Sequence, residues 1–96
     1  MTDMLTQDFF SALLNKTFDV QTTTGAVEAE LIEVAALPNH QEQSRENWSL
    51  VFEFKTDDIY EQGTYTFQHE DDDEIAIFIV PIGQDEKGVR YQAIFN

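Results

Sequence analysis

Over most of this chain apolar and polar residues alternate with a period of two, the spacing that sends successive side chains to opposite faces of a strand. Residues 17–22 set Phe18 and Val20 against Asp19 and Gln21, and Thr24-Gly25 then turns the chain into a second strand over 26–37. There the pattern slips: Ala29 and Leu31 share one face, whereas Ile32 and Val34 fall on the other. A one-residue slip in a period of two marks a bulge or sharp bend between Leu31 and Glu33. Residues 48–55 turn Trp48, Leu50, Phe52 and Phe54 inward, and 63–69 do the same with Tyr65, Phe67 and His69. Residues 75–83 carry no charge and are rich in isoleucine and valine, so they predict a strand that needs cover on both faces. Gly83, Asp85 and Gly88 predict a turn, and 89–95 a return strand. Ahead of all of these, 6–14 read as a short helix, with Thr6 as N-cap, Asp8 in the first turn and one stripe of Phe9, Phe10, Leu13 and Leu14.

One helix and six consecutive strands with short connections predict a mainly β fold, an antiparallel meander that closes into a small barrel or folds over as a compact sandwich. The 96 residues make one domain over 1–96. Centring the last turn between Asp85 and Glu86, and the acidic turn between Asp71 and Asp72, sorts the final strands into two faces. One face holds Tyr65, Phe67, Ala76, Phe78, Val80, Tyr91, Ala93 and Phe95, and is the expected core. The other holds Ile75, Ile77, Ile79 and Ile94 among Thr64, Thr66, Gln68, Arg90 and Gln92. Isoleucines on an outer face make a candidate interface, covered either by the helix stripe or by another chain.

Charge changes the picture of partners. Five basic residues against 19 acidic ones give a net charge of −14, which repels phosphate backbones and anionic membranes. Nucleic acid and membrane are therefore excluded as expected partners. What remains is a solubilising surface that also suits a basic protein partner, or self-association. Hydrophobic residues at 42% are ample for a core, so disorder is not expected. The absence of cysteine removes disulfides, thiolate zinc sites and cysteine nucleophiles, and makes the cytoplasm the expected compartment. Residues 1–4 lack the basic start of a secretory signal.

Candidate chemistry adds little. The run 70–74 is all carboxylate but lacks the spacing and the glycine of a calcium loop, so it reads as a solvated turn. His40 and His69 are the only imidazoles, too few for a zinc site, and His69 reads as a partly buried, hydrogen-bonded side chain. No nucleophile elbow or phosphate-cradling glycine loop is present. No catalytic residue, cofactor or metal is therefore expected. Trp48, Tyr65, Tyr91 and His69 make a candidate ligand pocket, with aromatic core filling as the competing role.

Gln62-Gly63-Thr64-Tyr65, His69, Val80-Pro81-Ile82-Gly83 and Gly88-Val89-Arg90-Tyr91-Gln92-Ala93-Ile94-Phe95-Asn96 resemble a family of bacterial domains of unknown function, roughly 100 residues long, the common size of one domain. Members occur near phage-tail-collar-type proteins, often with Glu where Gln92 stands and Val where Ile94 stands. The resemblance implies an accessory or structural role and carries over no catalytic residue. The resulting expectation is a non-enzymatic interaction or assembly module, possible in a phage-tail-like setting. The alternative is a small-ligand-binding barrel with an aromatic cavity.

Overall fold

In a computed structural model, which describes residues 7–36, 48–70 and 74–95, one helix and six strands follow in the expected order. They are α1 (Gln7–Ser11), β1 (Thr17–Thr22), β2 (Gly25–Ala36), β3 (Trp48–Phe54), β4 (Gly63–Gln68), β5 (Ile75–Asp85) and β6 (Gly88–Phe95). Thr6, His40 with the polar loop around it, and the acidic turn over 71–73 lie outside the described residues.

All neighbouring strands are antiparallel, and β4 returns to pair with β1, so the sheet closes into a small barrel. The alternating residues meet inside it. Phe18 meets Phe52 edge-on with centroids 5.6 Å apart, Phe52 lies 4.6 Å from Phe67, and Phe54 lies 4.3 Å from Tyr91. The expected slip in β2 is a bulge: the ladder to β3 shifts between Leu31 and Glu33, leaving Ile32 unopposed.

The connectivity is not a meander. Around the barrel the order is β1-β2-β3-β6-β5-β4, so the strand after β3 in sequence is not its neighbour. Two pairings explain why β6 takes that place. Glu53 lies directly across from Arg90, and Gly88 lets the end of β6 approach the Phe54 carbonyl more closely than a side chain would permit. The chain from β3 to β4 runs instead across the barrel end, where Tyr60 is buried. The Tyr60 backbone N–H donates to the Tyr91 hydroxyl at 2.8 Å, and its own hydroxyl lies 2.7 Å from Thr24 Oγ1.

Helix α1 is shorter than the apolar stripe predicts and plugs the opposite barrel end. Phe10 is fully buried, with ring centroids 5.7 Å from Trp48 and 6.0 Å from Phe95. The helix stops because the chain must turn into β1. Asn15 adopts a left-handed φ of 70°, its N–H donates to the Leu31 carbonyl at 2.7 Å, and Leu31 N–H donates to Lys16 at 3.1 Å. Leu13 packs against the core, whereas Phe9 and Leu14 remain partly exposed.

Candidate functional site

The register of β5 decides which residues form the site. The last turn is a two-residue loop, Glu86-Lys87, closed by the pair Asp85 and Gly88. Asp85 Oδ1 accepts the Lys87 N–H at 2.8 Å, and Gly88 takes a φ of 145°. The ladder then shifts between Pro81 and Gly83, which leaves Ile82 bulged and 51% exposed. Proline has no N–H to give to a ladder, and bulges are one of the few places a strand accepts it. Beyond the bulge Pro81 faces Tyr91 and Val80 faces Gln92.

That register places Val80 beside Gln92 and not beside Tyr91, and a one-residue slip exchanges the faces of a strand. The candidate interface of four isoleucines is therefore split. Ile77 and Ile79 are inside the barrel, Ile75 is partly buried against the core, and only Ile94 stands outside, 57% exposed. Ala76 and Phe78, expected in the core, are exposed, Phe78 by 52%. Phe78, Val80, Gln92 and Ile94 line an outer groove of about 400 Å³. Phe78, Val80 and Gln92 were not expected as site residues. The paired signals Pro81 and Gly83, read as a bulge and not as a strand end, would have found them.

The groove straddles the point where β5 and β6 part. Their ladder runs from Asp85 and Gly88 only as far as Val80 and Gln92. Below it, Ile75–Ile79 pair with β4 alone, and Ala93–Phe95 with β3 alone, among the described residues. The side chains lining the groove carry no charge, only apolar area and one amide.

The other half of the outer face is ionic. Lys55 Nζ lies 3.2 Å from Glu30 and 3.1 Å from Glu53, and Arg90 joins Glu53 at 3.8 Å to Asp85 at 2.5 Å. Glu53 is only 5% exposed, so its two cationic neighbours are what make its burial tolerable. The hydrogen bond to Glu53 is the main influence holding the Lys55 ammonium above its ordinary pKa. The backbone N–H of Lys87, followed by desolvation in the opposite sense and then by Arg90, leaves Asp85 below the ordinary value.

The candidate pocket residues do not line one cavity. Trp48 stacks on Phe95 at 4.2 Å, at the barrel end that α1 plugs. Tyr91 faces Phe52, four residues along the ladder from that pair, or about 13 Å away. Tyr65 reaches the Tyr91 end through Tyr60, 6.4 Å away, and its hydroxyl donates to the Glu61 carbonyl at 2.6 Å. Burial is the first cause raising both phenols above their usual pKa. His69 lies elsewhere, with its ring 5.5 Å from Phe18 and Nδ1 3.0 Å from the Thr17 carbonyl. A carbonyl only accepts, so Nδ1 carries the proton. Nε2 lies 4.0 Å from Glu70. Among the described residues no cluster of His, Asp and Glu is placed to hold a metal ion, and no helix is long and apolar enough to cross a membrane.

A mainly β barrel with an apolar groove on its outer wall is the class these features define. Residues 5–95 match the family described as Domain of unknown function (DUF6916), and the chain belongs to that family. No curated protein and no solved structure matches it.

Proposed function

We propose that this domain is a non-enzymatic accessory module for protein interaction and assembly, and that the outer face of β5 and β6 is its contact surface. One observation carries this reading: Phe78 and Ile94, each more than half exposed, flank a groove with Val80 on the outside of a barrel whose interior is already packed with aromatic rings. Contiguous exposed apolar area marks contacts more often than it marks chance. The net charge of −14 keeps such a surface soluble and favours a basic partner. The resemblance to domains encoded near phage-tail-collar-type proteins favours an accessory place in a tail-like assembly. The cysteine-free composition suits work in the cytoplasm.

The test is a double variant, Phe78→Ser with Ile94→Ser, compared with the wild type by sedimentation and by quantitative co-purification from the native host. Both positions are exposed, so the variant is expected to keep its circular dichroism and lose a stoichiometric partner. A folded variant that retains everything the wild type retains would remove this face from the reading.

A further inference from the structure

The outer face says where a partner sits, and the parting of β5 from β6 says in what form it arrives. Resting on the contact-surface reading above, we propose that the groove receives an extended, basic segment of a partner protein. That segment adds to the free edge of β5 along Ile75–Ile79 and lays alternate apolar side chains against Phe78 and Ile94.

Three observations converge on this. A strand edge presents unpaired N–H and C=O groups, which template pairing with another chain unless they are blocked. The β5 edge over Ile75–Ile79 holds neither of the usual blocks, a charge or a proline, since Pro81 lies beyond the stretch and the nearest acid, Glu74, precedes it. Among the described residues nothing pairs with this edge. Second, the groove lies over that edge. Phe78 and Ile94 occupy the outward positions next in line after Val80 and Gln92, where the side chains of an added strand, alternating in and out, would meet them. The inner side is already filled where Phe10 packs on Trp48 and Phe95, so the inward side chains of the incomer must be small and the outer groove takes its larger ones.

Third, charge selects the occupant. A second copy of this chain would bring another net −14 against the first, whereas a lysine- or arginine-bearing segment is drawn in. Glu70 and Glu74 stand exposed near the start of β5, and among the described residues Lys55 and Arg90 are already held by Glu30, Glu53 and Asp85.

The experiment uses a fluorescein-labelled peptide of alternating valine and alanine, about six residues long, the usual length of a strand, with two lysines at each end. Two further versions are N-methylated on alternate residues, one on each edge, and a fourth replaces lysine with glutamate. Anisotropy is read at about 0.15 M salt, where long-range attraction is largely screened. The lysine peptide is expected to bind, and to bind at least tenfold more weakly to folded Ile94→Ser or Phe78→Ser. Methylation of one edge should weaken binding at least tenfold, methylation of the other should not, and the glutamate peptide should fail. Hydrogen exchange should slow at those alternate amides of Ile75–Ile79 that point away from β4, and stay unchanged in the β1–β2 hairpin. If both methylated peptides bind as well as the parent while Ile94→Ser abolishes binding, strand addition is wrong and the apolar contact surface stands. If neither variant nor methylation matters, both readings fall. A peptide that shows no binding up to about millimolar concentration, or a domain that dimerises alone through Ile94, would overturn the basic-segment proposal, the latter in favour of a second copy.

Discussion

Strands β3 and β5 are drawn from similar apolar residues and meet opposite conditions. Every residue of β3 is buried, including Ser49 and Glu53 on its outer face, whereas β5 exposes Ala76, Phe78 and everything from Ile82 onward. Composition does not separate them, because the strand that buries a carboxylate is the one with fewer isoleucines. Neighbours do. From Trp48 to Phe54, β3 is flanked by β2 on one side and β6 on the other, so its outer side chains have a neighbour on each side, as Glu53 has Glu30 and Arg90. Among the described residues, no residue of β5 has both neighbours: Ile75–Ile79 pair only with β4, and from Val80 to Asp85 the ladder is only with β6. Although the barrel is closed, β5 has one free edge along each half among the described residues. Side chains are covered by what stands on either side of them, and a strand that changes partner halfway is left open at each half.

The contrast can be broken most directly by removing one ring from each strand. Phe52→Ala deletes a fully buried ring in contact with Phe18 and Phe67, and is expected to cost about 3–5 kcal/mol in urea unfolding. Phe78→Ala removes a half-exposed ring and should stay below about 1 kcal/mol. A Phe78 variant that loses as much as the Phe52 variant would mean that β5 is covered in solution by something that stabilises the fold, and the edge-strand description would fail.

Much of this was legible beforehand. The strand ranges, the bulge between Leu31 and Glu33 and a short leading helix follow from period and turn residues. The need to bury both faces left a barrel and a sandwich equally open, and the structure closes the barrel. The faces of β5 did not follow, because a continuous apolar run has no alternation from which to read a face. Its register hung on the placing of two turns, and on the β4 side Phe67 pairs with Ile75 and Tyr65 with Ile77, one residue from the expected Ala76 and Phe78. Reading Gly83 as a turn residue concealed the bulge at Ile82 that fixes the pairing. Strand order was concealed for a different reason. That β6 displaces β4 beside β3 depends on contacts between residues far apart in the chain, Glu53 with Arg90 and Gly88 with Phe54, which no local pattern reports. The candidate site inherited both gaps. Ile94 was expected outside, while Phe78 and Val80 were expected in the core.

The two glycines of the last hairpin sharpen the comparison further. At Gly88, where β6 meets the fully flanked β3, φ is 145° and an added Cβ would lie 2.0 Å from the Phe54 carbonyl oxygen, so backbone would have to move. Gly88→Ala should cost about 3 kcal/mol or more, enough to lower the melting temperature of a domain this size by roughly 12 °C or more. At Gly83, on β5, nothing lies within 4 Å of the added Cβ. Gly83→Ala should be close to neutral, since no left-handed φ opposes it and the unfolded chain loses freedom. Equal losses at the two positions would contradict the close approach of β6 to β3.

The smallest expected effect lies at the closed end of the β5–β6 ladder, farthest from the groove. The Asp85 carboxylate accepts the Lys87 N–H and pairs with Arg90, and these contacts favour its charged form over the opposing effect of desolvation. Its folded pKa is thus depressed, so the stabilisation it contributes is complete above the unfolded value, about 3.9. That contribution is lost as pH falls through the lower, folded value. Asp85→Asn keeps an oxygen to accept the Lys87 N–H but removes the charge facing Arg90. Wild type should therefore melt slightly above the variant at neutral pH, and the gap should shrink as pH falls below about 4, closing once the carboxylate is protonated. Added salt at neutral pH should narrow the same gap, because the pair is exposed and its attraction is screened. A gap that persists undiminished at low pH would mean that the hairpin end is held by backbone geometry alone and that charge does nothing to keep β5 against β6.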